Sequence, residues 1–119
     1  MTERDPVVYL LHMRDLTEEA LELCAGRERA DLERDRLFGL AMTRLVEVIG
    51  EAATKLPAEV HDRYPDIPWR KIIGMRNRLI HGYEYVDYDV LWETITTSLS
   101  ELLPPLTAAI SDMGAAEQE

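Results

Sequence analysis

Apolar residues recur along this chain at intervals of three and four, the spacing that places side chains on one face of an α-helix. The first predicted helix begins at Asp5-Pro6, where a capping carboxylate precedes a proline whose missing N–H is not needed in a first turn. It ends at Gly26, a residue type that closes many helices. Its buried stripe is predicted to be Leu10, Met13, Ala20 and Cys24.

A charged segment, GRERADLERDR, comes next and is predicted to form a short exposed turn of helix. The second long helix follows it and ends at Pro57. Gly50 lies inside this helix, where glycine costs about 1 kcal/mol relative to alanine, so we expect another helix to approach closely there. The predicted apolar stripe is Leu37, Leu40, Ala41, Leu45, Val48, Ala52 and Leu56.

The third and fourth predicted helices have clear starting signals. Pro68 suits a first-turn position of the third helix, and Asp87 can cap the fourth. We expect the third helix to fray at Gly82 and the fourth to be interrupted at Pro104-Pro105, because proline cannot donate a helical hydrogen bond. The apolar stripes are Ile72, Met75 and Leu79 in the third helix and Leu91, Ile95, Leu99, Leu102 and Leu106 in the fourth.

These four helices predict an all-α fold, an up-and-down four-helix bundle with short extra helices. With 119 residues, the chain is expected to form one domain over residues 1–113, followed by a disordered tail over 114–119. The N-terminal sequence MTERDP is acidic, and no run of eighteen apolar residues occurs. Together with the single Cys24, these features indicate a cytoplasmic protein that is not in a membrane.

Charge is distributed unevenly. The chain has 13 Lys and Arg residues against 23 Asp and Glu residues, a net charge of −10 that repels polyanions as a whole. Residues 63–81 are the exception, with five cations and only Asp66 as a carboxylate. If an anionic ligand binds this chain, it is expected to bind in this region, and Arg70, Lys71 and Arg78 are candidate substrate-binding residues.

Residues 76–85, RNRLIHGYEY, place an arginine, an asparagine, a histidine and a tyrosine at the end of the third helix. On an ideal helix Arg76 and His81 point about 140° apart. Two arrangements could bring them together: the helix unwinds before Gly82, or a second subunit packs across Gly74 and places two motifs in one cleft.

Asn77 and His81 are one helical turn apart, so the amide can hold one ring nitrogen and orient the other. An oriented histidine and an arginine suit phosphodiester cleavage by an internal nucleophile. The histidine moves protons and the arginine holds the phosphate. The substrate would be RNA, because DNA lacks the 2′-hydroxyl.

A structural interpretation competes with this one. Arg76 and His81 could simply complement the dipole at a helix end, with Tyr83 and Tyr85 covering the core. Spacing alone leaves both interpretations open. The dipeptide His61-Asp62 lacks further ligands at metal-binding spacing, so we predict no metal site and no cofactor.

The run RNRLIHGY resembles the R-x4-H-x-Y signature of the HEPN superfamily, most closely the HepT-like toxins of prokaryotic toxin–antitoxin pairs. The segments VIGEAATKL, DIPWRKIIGMRNRLIHGY and VDYDVLWETI also resemble this family, so the likeness covers nearly the whole chain. The resemblance implies a HEPN-like bundle that acts as a homodimer, with two motifs facing each other in a cleft. It also implies a metal-independent endoribonuclease toxin of a type VII-like system.

Individual roles follow from the resemblance. Arg76 and His81 match the catalytic pair, and Asn77 matches the residue that orients the histidine. Tyr83 matches the tyrosine to which a partner, a minimal nucleotidyltransferase antitoxin, adds AMP to silence the toxin. A nucleotide on Tyr83 would add bulk and negative charge where the RNA phosphate must lie. An alternative function is a non-catalytic helical module that docks on a nucleotidyltransferase and assists substrate or nucleotide binding.

Overall fold

The computed structural model describes residues 5–81 and 86–118, with side chains described except at 80, 81 and 115–118. The first helix, α1, spans Pro6–Cys24. Asp5 caps it by accepting a hydrogen bond from the Val7 N–H at 3.0 Å. This confirms the predicted start, which depends only on local chemistry.

Most of the described residues are helical and none of them lies in a strand, which confirms the all-α prediction. The charged segment forms only one short helix, as expected. None of the described helices combines the length and the apolar character that a membrane span requires. After α1 the helices are α2 (Asp31–Arg34), α3 (Arg36–Lys55), α4 (Ala58–Arg63), α5 (Trp69–His81), α6 (Tyr88–Glu93), a π-helical turn (Thr94–Ser98) and α7 (Leu99–Gln118).

Helix α3 lies at the centre of the bundle, between α1 and α5, and α1 also packs against α7. The fourth predicted helix corresponds to α6, the π-helical turn and α7, which follow one another without a break. Its predicted stripe is confirmed, since every member is buried: Leu91, Ile95, Leu99, Leu102 and Leu106. In the third predicted helix, Ile72 and Leu79 are buried, and Met75 packs against the core.

The buried face of α3 differs from the predicted stripe. Leu37 is 80% exposed and Leu40 is 52% exposed, so the prediction for these two residues is wrong. The buried face instead carries two glycines, Gly39 and Gly50, which allow neighbouring backbones to approach closely. This face is buried in preference to the face that carries Leu37 and Leu40, because its glycines allow α2 and α5 to pack against it closely. Its larger apolar members are Phe38, Met42, Val46 and Ile49.

Helix α7 was expected to break at Pro104-Pro105, and this prediction is wrong because α7 continues through both prolines. The two missing N–H groups would have bonded to the carbonyls of Ser100 and Glu101, four residues earlier. Both residues are exposed, so water can satisfy their carbonyls. The helix also extends to Gln118, through most of the segment that was expected to be a disordered tail.

Candidate functional site

Helix α5 carries most of the predicted site residues. Its start is fixed by Trp69, which is 8% exposed and donates a hydrogen bond from Nε1 to the Tyr64 carbonyl at 3.0 Å. The His61 ring stacks on Trp69 with centroids 4.3 Å apart and lies 3.0 Å from the Ala53 carbonyl oxygen through Nε2. His61 therefore anchors α5 to the end of α3, which accounts for the His-Asp dipeptide without a metal.

Arg76 is seated on Gly50 of α3. A Cβ atom built on Gly50 would overlap Arg76 Cβ and lie 2.9 Å from Arg76 Cγ and 3.2 Å from the Ile72 carbonyl oxygen. Ordinary contacts between carbon atoms are about 3.5–4.0 Å. The close approach predicted at Gly50 is thus confirmed, and the group that approaches is the stem of the candidate catalytic arginine.

The guanidinium of Arg76 is only partly paired. Its Nη1 donates to Asn77 Oδ1 at 3.0 Å, while its Nε is buried without a hydrogen-bond partner among the described residues. In the part of the chain that the structure describes, no carboxylate lies within ion-pair distance of Arg76. Because an unpaired buried donor on a charged group is costly, such groups commonly mark functional sites.

Asn77 is exposed, and its described contact is with Arg76. Because its oxygen accepts from the guanidinium, its NH₂ group stays available as a donor. The predicted hydrogen bond from Asn77 to His81 involves a side chain outside the described ones and stays a prediction. Tyr83 also lies outside the described residues. The catalytic role of His81 and the modification of Tyr83 therefore remain predictions.

The backbone at the end of α5 bears on how Arg76 and His81 could meet. Helix α5 is α-helical through His81, so it does not unwind before that residue. The two residues thus keep the separation of about 140° that a regular helix gives. Of the two arrangements considered from the sequence, the one that needs a second subunit is favoured.

The predicted substrate-binding cations lie on a different side of α5 from Arg76. Arg70, Lys71 and Arg78 line a cleft of about 280 Å³ between α5 and the segment formed by α6 and the π-helical turn. Arg76 does not line this cleft and instead faces α3. The sequence predicted that these cations lie close together, but it did not predict which residues form the opposite side of the cleft.

That opposite wall includes a π-helical turn, a feature that sequence reasoning missed. Thr94 Oγ1 donates to the Val90 carbonyl at 2.7 Å and Thr96 Oγ1 donates to the Trp92 carbonyl at 2.8 Å. Hydroxyl bonds of this kind to the preceding turn bend helices, and π-helical turns frequently occur at functional sites. The sequence TITTS, rich in β-branched hydroxyl residues, was the available signal.

Comparison with known proteins identifies relatives over most of the chain. The family profile described as Ribonuclease HepT-like matches residues 13–109. A protein of Caldanaerobacter subterraneus subsp. tengcongensis, named "Putative RNase TTE0752", is 37% identical over 99 residues, covering 83% of this chain and 88% of the relative. No solved structure gives a significant match.

Two archaeal proteins are also similar. One from Methanocaldococcus jannaschii, named "Putative RNase MJ1216", is 31% identical over 113 residues, covering 95% of this chain and 93% of the relative. One from Thermococcus cleftensis, named "Probable ribonuclease HepT", is 36% identical over 95 residues, covering 76% of this chain and 86% of the relative. These lengths show that the similarity extends across the bundle and is not confined to the α5 motif.

Proposed function

The chain belongs to the Ribonuclease HepT-like family, and on that premise we propose that it is a metal-independent endoribonuclease that cuts RNA through its own 2′-hydroxyl. The 2′-oxygen attacks the adjacent phosphorus while the bond from phosphorus to the 5′-oxygen breaks. A base takes the proton from the 2′-hydroxyl, and an acid gives one to the departing 5′-oxygen. The products are a 2′,3′-cyclic phosphate and a 5′-hydroxyl.

Arg76 is proposed to hold the phosphate and stabilise the charge that develops on its oxygens. The observation that carries this role is its seat on Gly50, which fixes the stem of a guanidinium that no described carboxylate neutralises. His81 is proposed to transfer the protons, and Asn77 to help orient it.

A homodimer is proposed to complete the site. Since α5 stays helical through His81, one chain does not readily present Arg76 and His81 to one phosphate. Two chains related by a two-fold axis would place two copies of the motif in one cleft. Arg76 of one chain would then face His81 of the other, so that the cleft contains two such pairs.

Regulation by a partner is part of the same proposal. A minimal nucleotidyltransferase antitoxin would add AMP to Tyr83, two residues after His81 in the sequence. The added phosphate and adenosine would compete with the RNA by charge and by bulk. Mass measurement of the intact chain after co-expression with such an enzyme tests this, because each AMP adds a fixed mass that a Tyr83→Phe variant should not gain.

Cleavage of RNA in the presence of EDTA tests the core of the proposal. Wild-type protein should leave 2′,3′-cyclic phosphate ends, and His81→Ala and Arg76→Ala should each lose at least roughly a hundredfold in rate. An oligonucleotide with 2′-O-methyl groups should not be cut. Cleavage that survives His81→Ala, or that depends on magnesium, would show that the mechanism is wrong.

Mixing the two inactive variants tests whether the site is shared between chains. If Arg76 of one chain works with His81 of the other, a mixed dimer contains one intact site out of two. Random mixing makes half of the dimers mixed, so about a quarter of the wild-type activity should return. Continued inactivity in a sample with confirmed subunit exchange would contradict a shared site.

A further inference from the structure

A cation-lined cleft lies beside α5, away from Arg76. Its α5 wall is formed by Arg70, Lys71, Gly74 and Arg78 together with Met75, and its volume is about 280 Å³. Arg70 and Arg78 are eight residues apart, which is about 12 Å along a helix. The cations therefore extend along the cleft, and a chain of phosphates can lie beside them.

These cations have no described counter-charge. Within residues 5–81 and 86–118, no carboxylate lies within ion-pair distance of Arg70, Lys71 or Arg78. Glu93 lines the opposite wall and is the acidic residue among those that line the cleft. Its charge disfavours a phosphate on that wall, so an anionic ligand would lie along α5.

Gly74 opens the middle of this wall. A Cβ atom built on Gly74 would meet no described residue within 4 Å, so the described residues leave space beside the helix backbone. Among the described residues no helix packs against Gly74, in contrast to Gly50, and glycine lowers helix stability relative to alanine. Its position between the cations lets a ligand approach the α5 backbone closely.

A buried hydroxyl without a described partner lies beside the cleft. Ser98, the last residue of the π-helical turn, is 8% exposed, and its Oγ has no hydrogen-bond partner among the described residues. Ser98 lines both the cleft and a crevice of about 10 Å³ beneath it, which is enough for about one water molecule.

We propose that this cleft is a subsite for a nucleotide of single-stranded RNA that flanks the nucleotide being cut. Its volume lies near the lower end of the range for ligand pockets, about 300–1,000 Å³, which suits one nucleotide unit. Arg70, Lys71 and Arg78 bind the phosphates, and Gly74 admits the sugar–phosphate backbone. The choice of RNA as ligand rests on the proposed function.

A second copy of the chain is a less suitable occupant. In a two-fold contact the same patch meets itself, so Arg70, Lys71 and Arg78 of one copy would face those of the other. Like charges at short range repel unless anions lie between them. The proposed dimer would therefore form through a surface other than the one beside Gly74, which leaves the cleft open to RNA.

Binding of a fluorescent 2′-O-methyl oligonucleotide tests the subsite independently of cleavage, because this probe lacks the attacking hydroxyl. Gly74→Leu should fill the cleft and weaken binding at least roughly tenfold, without loss of thermal stability, since leucine favours helix. Gly114→Leu is the matched control: a Cβ atom on Gly114 of α7 also meets no described residue within 4 Å, and binding should not change.

Salt dependence tests the charges. Arg78→Ala should weaken binding and reduce the slope of log K against log salt by about 0.7, the value for one phosphate contact with a single strand. Arg44→Ala, which removes a 69% exposed arginine of α3, should leave both quantities unchanged.

Three results would overturn the proposal. The first is unchanged binding by Gly74→Leu and Arg78→Ala, and the second is an equal loss with Arg44→Ala, which would indicate diffuse attraction. The third is a change of oligomeric mass caused by Gly74→Leu in light scattering, which would assign the cleft to a second copy. Failure of the proposed function would instead appear as uncut natural RNA, while the 2′-O-methyl probe could still bind in the cleft.

Discussion

Replacing Gly50 by alanine should impair catalysis through Arg76, although Gly50 itself would touch no substrate. The added Cβ would overlap Arg76 Cβ and lie 2.9 Å from Cγ. Restoring a normal separation of about 3.5–4.0 Å requires the arginine stem to move by roughly 1 Å. A displacement of that size in a catalytic group costs about a hundredfold in rate, which is about 2.7 kcal/mol of transition-state stabilisation.

The effect of Gly50→Ala on folding should be smaller. Alanine gains about 1 kcal/mol in helix propensity over glycine, whereas overpacking a tight contact costs about 1–3 kcal/mol. The net loss should therefore be at most about 2 kcal/mol, and the protein should remain folded at 25 °C. Urea denaturation measures this loss, and RNA cleavage in EDTA measures the rate.

Two other glycines provide matched controls. Gly39→Ala, also in α3, would place a Cβ against the Leu32 carbonyl oxygen and should lower stability without a specific loss of activity. Gly74→Ala, which meets no neighbour, should raise stability by up to about 1 kcal/mol.

A double-mutant cycle distinguishes a positioning role from general damage. If the loss passes through Arg76, adding Gly50→Ala to Arg76→Ala should reduce the remaining activity no further. A stable Gly50→Ala protein with wild-type activity would refute the reasoning. An equal loss of activity in Gly39→Ala would also refute it.

Three further predictions concern stability. Thr17 is fully buried and its Oγ1 has no partner among the described residues, so Thr17→Val should raise the free energy of unfolding by about 1 kcal/mol in urea denaturation, and a loss would show that the hydroxyl is paired. The hydrogen bond from the Phe38 N–H, and then Arg27, lower the pKa of Asp35. The ionised carboxylate therefore stabilises the folded protein fully above the unfolded-state pKa, and this stabilisation is lost as pH falls through the folded-state pKa. The Tm of Asp35→Asn should thus fall less than that of wild type between pH 5 and pH 2, and equal decreases would contradict this. Leu37→Gln should change unfolding free energy by less than about 0.5 kcal/mol, because Leu37 is 80% exposed, and a larger loss would indicate that a partner covers it.

The sequence predicted those parts of the fold that local chemistry determines. Asp5 and Asp87 cap helices in the structure as expected, because a side chain and the next few N–H groups suffice to make a cap. The buried face of α3 could not be determined in this way. Leu37 and Leu40 follow helical spacing as well as the buried residues do, and the choice between faces depends on which one neighbouring backbones can approach.

The candidate site shows the same division. A close approach at Gly50 was predictable, because glycine inside a helix usually has a packing reason. That the approaching group would be Arg76 depends on the angle between α3 and α5, which no local pattern encodes. The π-helical turn arises from several hydroxyl bonds to preceding carbonyls, and the sequence alone gives no means to weigh these against regular helix.

The acidic composition need not prevent RNA binding, because the remote acidic residues repel a phosphate at long range, where salt screens them, whereas the cleft cations attract it at short range. The chain carries a net charge of −10, yet the cleft cations have no described carboxylate at ion-pair distance. At physiological ionic strength, screening limits the reach of the remote acids to about 8 Å, compared with about 30 Å at 0.01 M. A phosphate inside the cleft therefore interacts mainly with Arg70, Lys71 and Arg78. Raising the salt concentration weakens these contacts but also removes long-range repulsion, so affinity should depend on salt less steeply than in a basic protein with the same number of phosphate contacts.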